Sequence, residues 1–137
     1  MSRIAFLNSK FVNFKDAKIH IEDRGLQFSD SVYEVIPFCN KKLIEFRFHI
    51  NRLRYSLNQL KIDFTINAKK LEKIFNKIVY LSKYKNGIVY LQITRGVQSR
   101  DHAYKKNLKP NIIIYAIKRK LNIANKNFKS EKAITFE

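Results

Sequence analysis

A single cysteine, Cys39, in 137 residues excludes an internal disulfide. The three histidines, His20, His49 and His102, have neither metal-site spacing nor a nearby company of cysteines and carboxylates, so no structural metal is expected. Long apolar runs are also missing. The longest, Ile112-Ile113-Ile114-Tyr115-Ala116-Ile117, falls well short of the roughly 20 residues that cross a bilayer, and Met1-Ser2-Arg3 leads into no secretory stretch. A cytoplasmic protein with no membrane partner is expected.

Acidic residues are scarce as well: 11 Asp and Glu stand against 28 Lys and Arg, for a formal charge of +17. Such an excess suggests nucleic acid, because cations that neutralise phosphates release counterions. Yet the lysines are scattered rather than gathered into a stripe, and no recognition motif accompanies them. The chain holds 20 Lys, 13 Asn and 18 Ile, all encoded by AT-rich codons, so nucleotide bias accounts for part of the charge. A nucleic-acid partner is therefore the minor reading. What the chain does have, 45% hydrophobic and 13% aromatic residues, is enough for one ordinary core.

The pattern predicts an α+β domain, an antiparallel sheet with two helices. Ile4 to Leu7 and Phe11-Val12 read as strands around an Asn8-Ser9-Lys10 turn, and Lys18 to Ile21 alternates like a third strand. Asp23-Arg24-Gly25 reads as a turn. Val32 to Phe38 resumes as a strand with Val32, Glu34, Ile36 and Phe38 on one face and Tyr33, Val35 and Pro37 on the other. Pro37 removes a ladder donor, so that strand is bulged there or has an unpaired side. Asn40-Lys41-Lys42 then turns the chain.

Phe46, Ile50, Leu53, Leu57 and Leu60 recur in steps of four and three, which mark one helix. Leu71, Ile74, Phe75, Ile78 and Leu81 mark the second, with Asn67 as N-cap and Asn86-Gly87 as the stop. Ile88 to Arg95 and Ile112 to Lys118 are strand-like, joined by a long polar loop from Gly96 to Lys109. Residues 1–118 form one domain on this reading. Residues 119–137 form a connector and, at Ala133 to Phe136, the start of a strand in a second, truncated domain.

Polar groups concentrate at Asp23-Arg24, Tyr33-Glu34, His49 to Arg54 and Arg95 to His102. The last of these lies in a loop longer than a connection needs, and its arginines could fork a carboxylate or phosphate with a histidine as a further donor. The plainer alternative is a solvated loop with surface arginines.

Four blocks resemble class IV pyridoxal-phosphate aminotransferases, and specifically their D-amino acid branch. They are Lys18 to Val35 with its Asp23-Arg24-Gly25 turn, His49-Ile50-Asn51-Arg52-Leu53, Tyr90 to Gly96, and Arg100-Asp101-His102. The resemblance runs from about Ile4 to Phe136. It implies the N-terminal domain of that fold and amino transfer between a D-amino acid such as D-alanine and a 2-oxo acid.

It further implies that Arg52 holds the cofactor phosphate. Tyr33, Arg100 and His102 would form a trap for the substrate carboxylate, the latter two reaching across a homo-oligomer interface. The alternatives to these roles are a core tyrosine at Tyr33 and a surface helix arginine at Arg52. The family's cofactor-bearing lysine would lie beyond Glu137, so no catalytic residue is expected in this chain. Pyridoxal 5'-phosphate would be used only with a separate chain carrying the lysine-bearing half. The alternative is a non-catalytic remnant. In its favour, family glycines appear here as Ser29, Ser31 and Lys41, and a positive φ kept at Lys41 would cost about 1 kcal/mol.

Overall fold

The computed structural model describes residues 3–121. They form one antiparallel six-stranded sheet in the order β2-β1-β6-β5-β3-β4, where β1 is Ile4–Leu7, β2 Lys10–Asn13, β3 Ser31–Cys39, β4 Lys42–Leu43, β5 Gly87–Thr94 and β6 Asn111–Lys118. A short helix α1 (Arg24–Phe28) precedes β3, and two long helices, α2 (Phe46–Gln59) and α3 (Ala68–Ser82), cover one face of the sheet. The expected architecture therefore holds, with α1 added.

Period-two alternation builds the sheet half of the core. Val32, Glu34, Ile36 and Phe38 of β3 are buried, as are Val89, Leu91 and Ile93 of β5 and Ile112, Ile114 and Ala116 of β6. Against them α2 buries Phe46, Ile50, Leu53 and Leu57, and α3 buries Leu71, Phe75, Ile78 and Val79. Leu60, the last residue of the predicted α2 stripe, lies past the helix end and is 42% exposed. Asn67 caps α3 as expected, its side chain accepting from the Lys70 N–H at 3.0 Å. The stop differs: Lys83, at φ 61°, closes α3, and Gly87 instead opens β5, where an added Cβ would lie 2.3 Å from the Ile117 carbonyl oxygen.

Two local expectations are overturned. Lys18 to Ile21 forms no strand: Lys18 to His20 have no regular structure, Ile21 begins a turn and is 77% exposed, and the segment pairs with none of the described strands. Asp23-Arg24-Gly25 is not a simple turn but the start of α1. The Asp23 carboxylate caps it by accepting from the Gly25 N–H at 2.8 Å.

Pro37 is accommodated without a bulge. The β3–β5 register runs unbroken from Ser31 opposite Thr94 to Phe38 opposite Gly87. The Pro37 carbonyl accepts from Ile44 N–H on the β4 side, so the missing donor falls on that side, where β4 pairs only with Phe38 and Cys39. Beside the rest of β3, no described strand continues β4. The β3–β4 turn places Asn40 at φ 49° and Lys41 at φ 62°, and Ser29 ends α1 at φ 54°. Lysine at the second turn position costs about 1 kcal/mol relative to glycine. From residue 122 onward, the expected connector and the strand start at Ala133 to Phe136 lie outside the described residues.

Candidate functional site

Glu34 is a carboxylate set at a core-facing position of an otherwise apolar strand. Its side chain is 2% exposed, and a charge buried to that degree must be paired. The partners come from α2, where His49 and Arg52, three residues apart, share one face. Glu34 Oε1 accepts from Arg52 Nε at 2.8 Å, and Oε2 accepts from Arg52 Nη2 at 2.8 Å while lying 2.7 Å from His49 Nδ1. The Arg52 side chain is nevertheless 67% exposed, and its Nη1 donates to no described residue. Arg52 thus presents an anchored guanidinium to solvent.

Tyr33, on the opposite face of β3, is 64% exposed, which excludes the core-tyrosine reading. Its ring stacks on Tyr90 with centroids 6.0 Å apart, and Tyr90 in turn packs on Tyr115.

The second cluster surrounds the loop after β5. Asp30 Oδ2 accepts from Arg24 Nε at 2.8 Å and from Arg95 Nε at 2.7 Å. The remaining Arg24 nitrogens donate to the carbonyls of Asp101 (2.7 Å) and His102 (3.2 Å), and those of Arg95 to the carbonyls of Lys61 (2.8 Å) and Leu60 (2.6 Å). Gln98 closes the loop on itself, donating to the Ala103 carbonyl and accepting from the Lys105 N–H. Arg95 is buried and packs its guanidinium on Tyr104 at 3.8 Å. With all its nitrogens so engaged, it is a structural arginine and not the anion residue that its place in a polar loop suggested.

Arg100 and His102 are exposed and meet on one ring. The Arg100 guanidinium lies 4.8 Å from the centroid of Phe28, and the His102 ring lies 5.5 Å from it. No hydrogen bond or ring contact joins either residue to Tyr33 among the described residues. The structure therefore brings Arg100 and His102 together on Phe28, with Tyr33 on Tyr90 and Arg52 on Glu34, and does not unite the four. Sequence reasoning missed Glu34 as the hub. The signal was present, since a carboxylate between Val32 and Ile36 on a buried face demands a counter-charge.

The family model of class IV amino-transferases matches residues 31–133. The chain belongs to this family. Curated relatives include D-alanine aminotransferases of Staphylococcus aureus, 34% identical over 80% of this chain, and of Bacillus licheniformis, 35% identical over 79%. The chain spans about two fifths of their length, 39% and 38%. Among solved structures, the branched-chain amino acid aminotransferase of Escherichia coli superposes with a TM-score of 0.78 at 18% identity, over 85% of this chain and 40% of that one. The 4-amino-4-deoxychorismate lyase of Pseudomonas aeruginosa does so with 0.67 at 20%, again over 85% and 40%. These likenesses establish the fold; a transaminase and a lyase share it, so fold alone does not assign the reaction.

Class IV aminotransferases use pyridoxal phosphate, and Arg52 fits such a group: an exposed guanidinium with an unused edge suits a phosphate monoester. Among the described residues no cluster of three or more His, Cys, Asp or Glu is placed to hold a metal ion, and no helix is long and apolar enough to cross a membrane.

The two carboxylates set the acid response of this domain. Burial raises the Glu34 and Asp30 carboxyls, but hydrogen bonds from Arg52 and His49 to the first, and from Arg95 and Arg24 to the second, outweigh it and hold both below the ordinary range. Their stabilisation is complete above the ordinary carboxylate pKa of about 4 and is lost as pH falls through the depressed folded-state values. Urea midpoints measured in pH steps should drop steeply below about pH 4. A Glu34→Gln/Asp30→Asn double variant, less stable at neutrality, should lose much of that slope; an unchanged slope would assign the acid response to other groups.

Proposed function

We propose that this chain forms the N-terminal portion of a pyridoxal-phosphate-dependent D-amino acid aminotransferase, moving an amino group between a D-amino acid such as D-alanine and a 2-oxo acid. The anchored, solvent-facing guanidinium of Arg52 carries the reading, in a chain whose curated relatives are named D-alanine aminotransferases. The cofactor, when bound, supplies the electron sink that lets the amino acid's Cα–H bond break. Arg52 holds its phosphate. Tyr33 offers a hydroxyl to the substrate carboxylate.

Arg100 and His102 lie apart from Tyr33 within one chain, so a second copy of the chain, in a homo-oligomer, brings them to the trap. The lysine that carries the cofactor belongs to a lysine-bearing half outside the residues matched here, and the assembly works in the cytoplasm. Alone, the 137-residue chain has no transaminase activity, because the group that moves the Cα proton is not among its matched motifs.

The test is co-expression with a lysine-bearing half, followed by assay of D-alanine and 2-oxoglutarate. In an active complex, Arg52→Ala should weaken cofactor retention about tenfold or more, and excess cofactor should restore activity. Arg100→Ala should leave the cofactor spectrum intact while raising the KM for both amino and keto acid, and excess cofactor should not help. Identical behaviour of the two variants would sink the assignment of roles. Turnover by the purified chain alone would sink the need for a second half.

A second reading, a non-catalytic remnant, draws on the left-handed backbone at Ser29 and Lys41, where the family pattern has glycine. No activity with any lysine-bearing half would favour it.

A further inference from the structure

An arginine side chain has two bidentate donor edges, and Arg52 spends one of them, Nε with Nη2, on Glu34. A flexible, 67% exposed side chain has little reason to stay in one rotamer unless something buried holds it. Here the holder is a carboxylate only 2% exposed, rooted on the buried face of β3. The carboxylate is itself fixed, because Oε2 also contacts His49 Nδ1 one turn earlier on α2.

We propose that Glu34 is the positioning residue of Arg52. It locks one edge of the guanidinium so that the opposite edge, Nη1 with the second Nη2 hydrogen, presents a fixed fork to a phosphate monoester. His49 completes the lock by holding the carboxylate. This rests on the reading of Arg52 as the phosphate residue given above, and it adds which side chain makes that arginine competent.

The arrangement carries an internal contradiction that makes it testable by sign. A carboxylate within hydrogen-bond distance of an anion-binding guanidinium opposes the anion electrostatically. If charge alone mattered, removing Glu34's charge would tighten phosphate binding. If Glu34 acts by position, its removal frees the arginine, and binding then pays for ordering it again. The two accounts predict opposite shifts from one substitution.

The experiment uses the full 137-residue chain labelled with 15N. Inorganic phosphate is titrated in, and its midpoint is read from the backbone amides of α2 and from Arg52 Nε–H. In the unsubstituted chain the Arg52 Nε–H order parameter should approach the rigid-backbone value of about 0.85, and Arg52→Ala should abolish the phosphate-dependent shifts along α2. Glu34→Gln should raise the phosphate midpoint about 2- to 10-fold, although it adds one unit of positive net charge, and should drop the order parameter below about 0.6.

If Arg52→Ala titrates like the unsubstituted chain, the phosphate reading of Arg52 fails and the inference falls with it. If Arg52→Ala abolishes the response while Glu34→Gln leaves the midpoint unchanged or lowers it, the phosphate reading stands and the positioning inference is overturned. Should Glu34→Gln not fold, the unsubstituted chain decides, since an Arg52 order parameter below about 0.6 there means that nothing positions the guanidinium.

Discussion

Replacing Arg24 by alanine should cost this domain about 3 to 5 kcal/mol, the range for removing one partner of a buried ion pair. Three donors vanish together: one to Asp30 and two to the carbonyls of Asp101 and His102. Asp30 keeps only Arg95, and the two carbonyls lose the protein donors that held them. For a domain of this length the loss corresponds to a melting temperature roughly 10 to 25 °C lower. The loop should also loosen ahead of global unfolding, so trypsin should reach Lys105 and Lys106 sooner under native conditions. Lysine would not rescue the site, because an ammonium has no rigid fork to serve Asp30 and two carbonyls at once. Arg24→Lys within about 0.5 kcal/mol of the unsubstituted chain would show that this brace contributes little.

Gly96→Ala should be comparably damaging, by a different cause. Gly96 sits at φ +113°, outside the region that L side chains adopt, and a Cβ built there lies 2.2 Å from the Lys109 carbonyl oxygen. The obstruction is backbone rather than a side chain that can turn away, so the two ends of the 96–109 loop must separate. Gly96 also receives the Arg24 N–H on its carbonyl and donates to Thr94 Oγ1, which ties it to the Asp23 network. We expect a loss of about 3 kcal/mol or more in urea-unfolding free energy. The near-ultraviolet dichroism of Tyr104, which packs on Arg95, should change with it. Because both substitutions strike one network, the Arg24→Ala/Gly96→Ala double variant should lose less than the sum of the two. Full additivity would mean that the glycine and the arginine act independently.

Different parts of the site were legible to different degrees. The apolar steps Ile50, Leu53, Leu57 and Leu71, Phe75, Ile78 announce two helices because a helix repeats every 3.6 residues whatever it packs against. The alternation Val32, Glu34, Ile36, Phe38 fixes which face of β3 turns inward, and so places Tyr33 on the other face. The same alternation misleads at Lys18 to Ile21, because a strand is made by pairing and this segment pairs with none of the described strands. The motif Asp23-Arg24-Gly25 and the arginine of Thr94-Arg95-Gly96 mark the right region, but sequence cannot say that Arg24 and Arg95 are spent internally. Arg24 reaches carbonyls 77 and 78 positions away, and Arg95 carbonyls 34 and 35 positions away.

The sequence by itself therefore determined the two long helices, the inward faces of β3, β5 and β6 and the Asn67 cap, because those follow from local periodicity and backbone stereochemistry. Only the tertiary structure decided which charges meet. It gave Arg52 and His49 to Glu34, gave Arg24 and Arg95 to Asp30, and set Arg100 and His102 on Phe28 rather than on Tyr33. Such pairings depend on which strand edge stays open and which loop folds back over it. Spacing along a chain carries no record of contacts that folding brings together from distant positions.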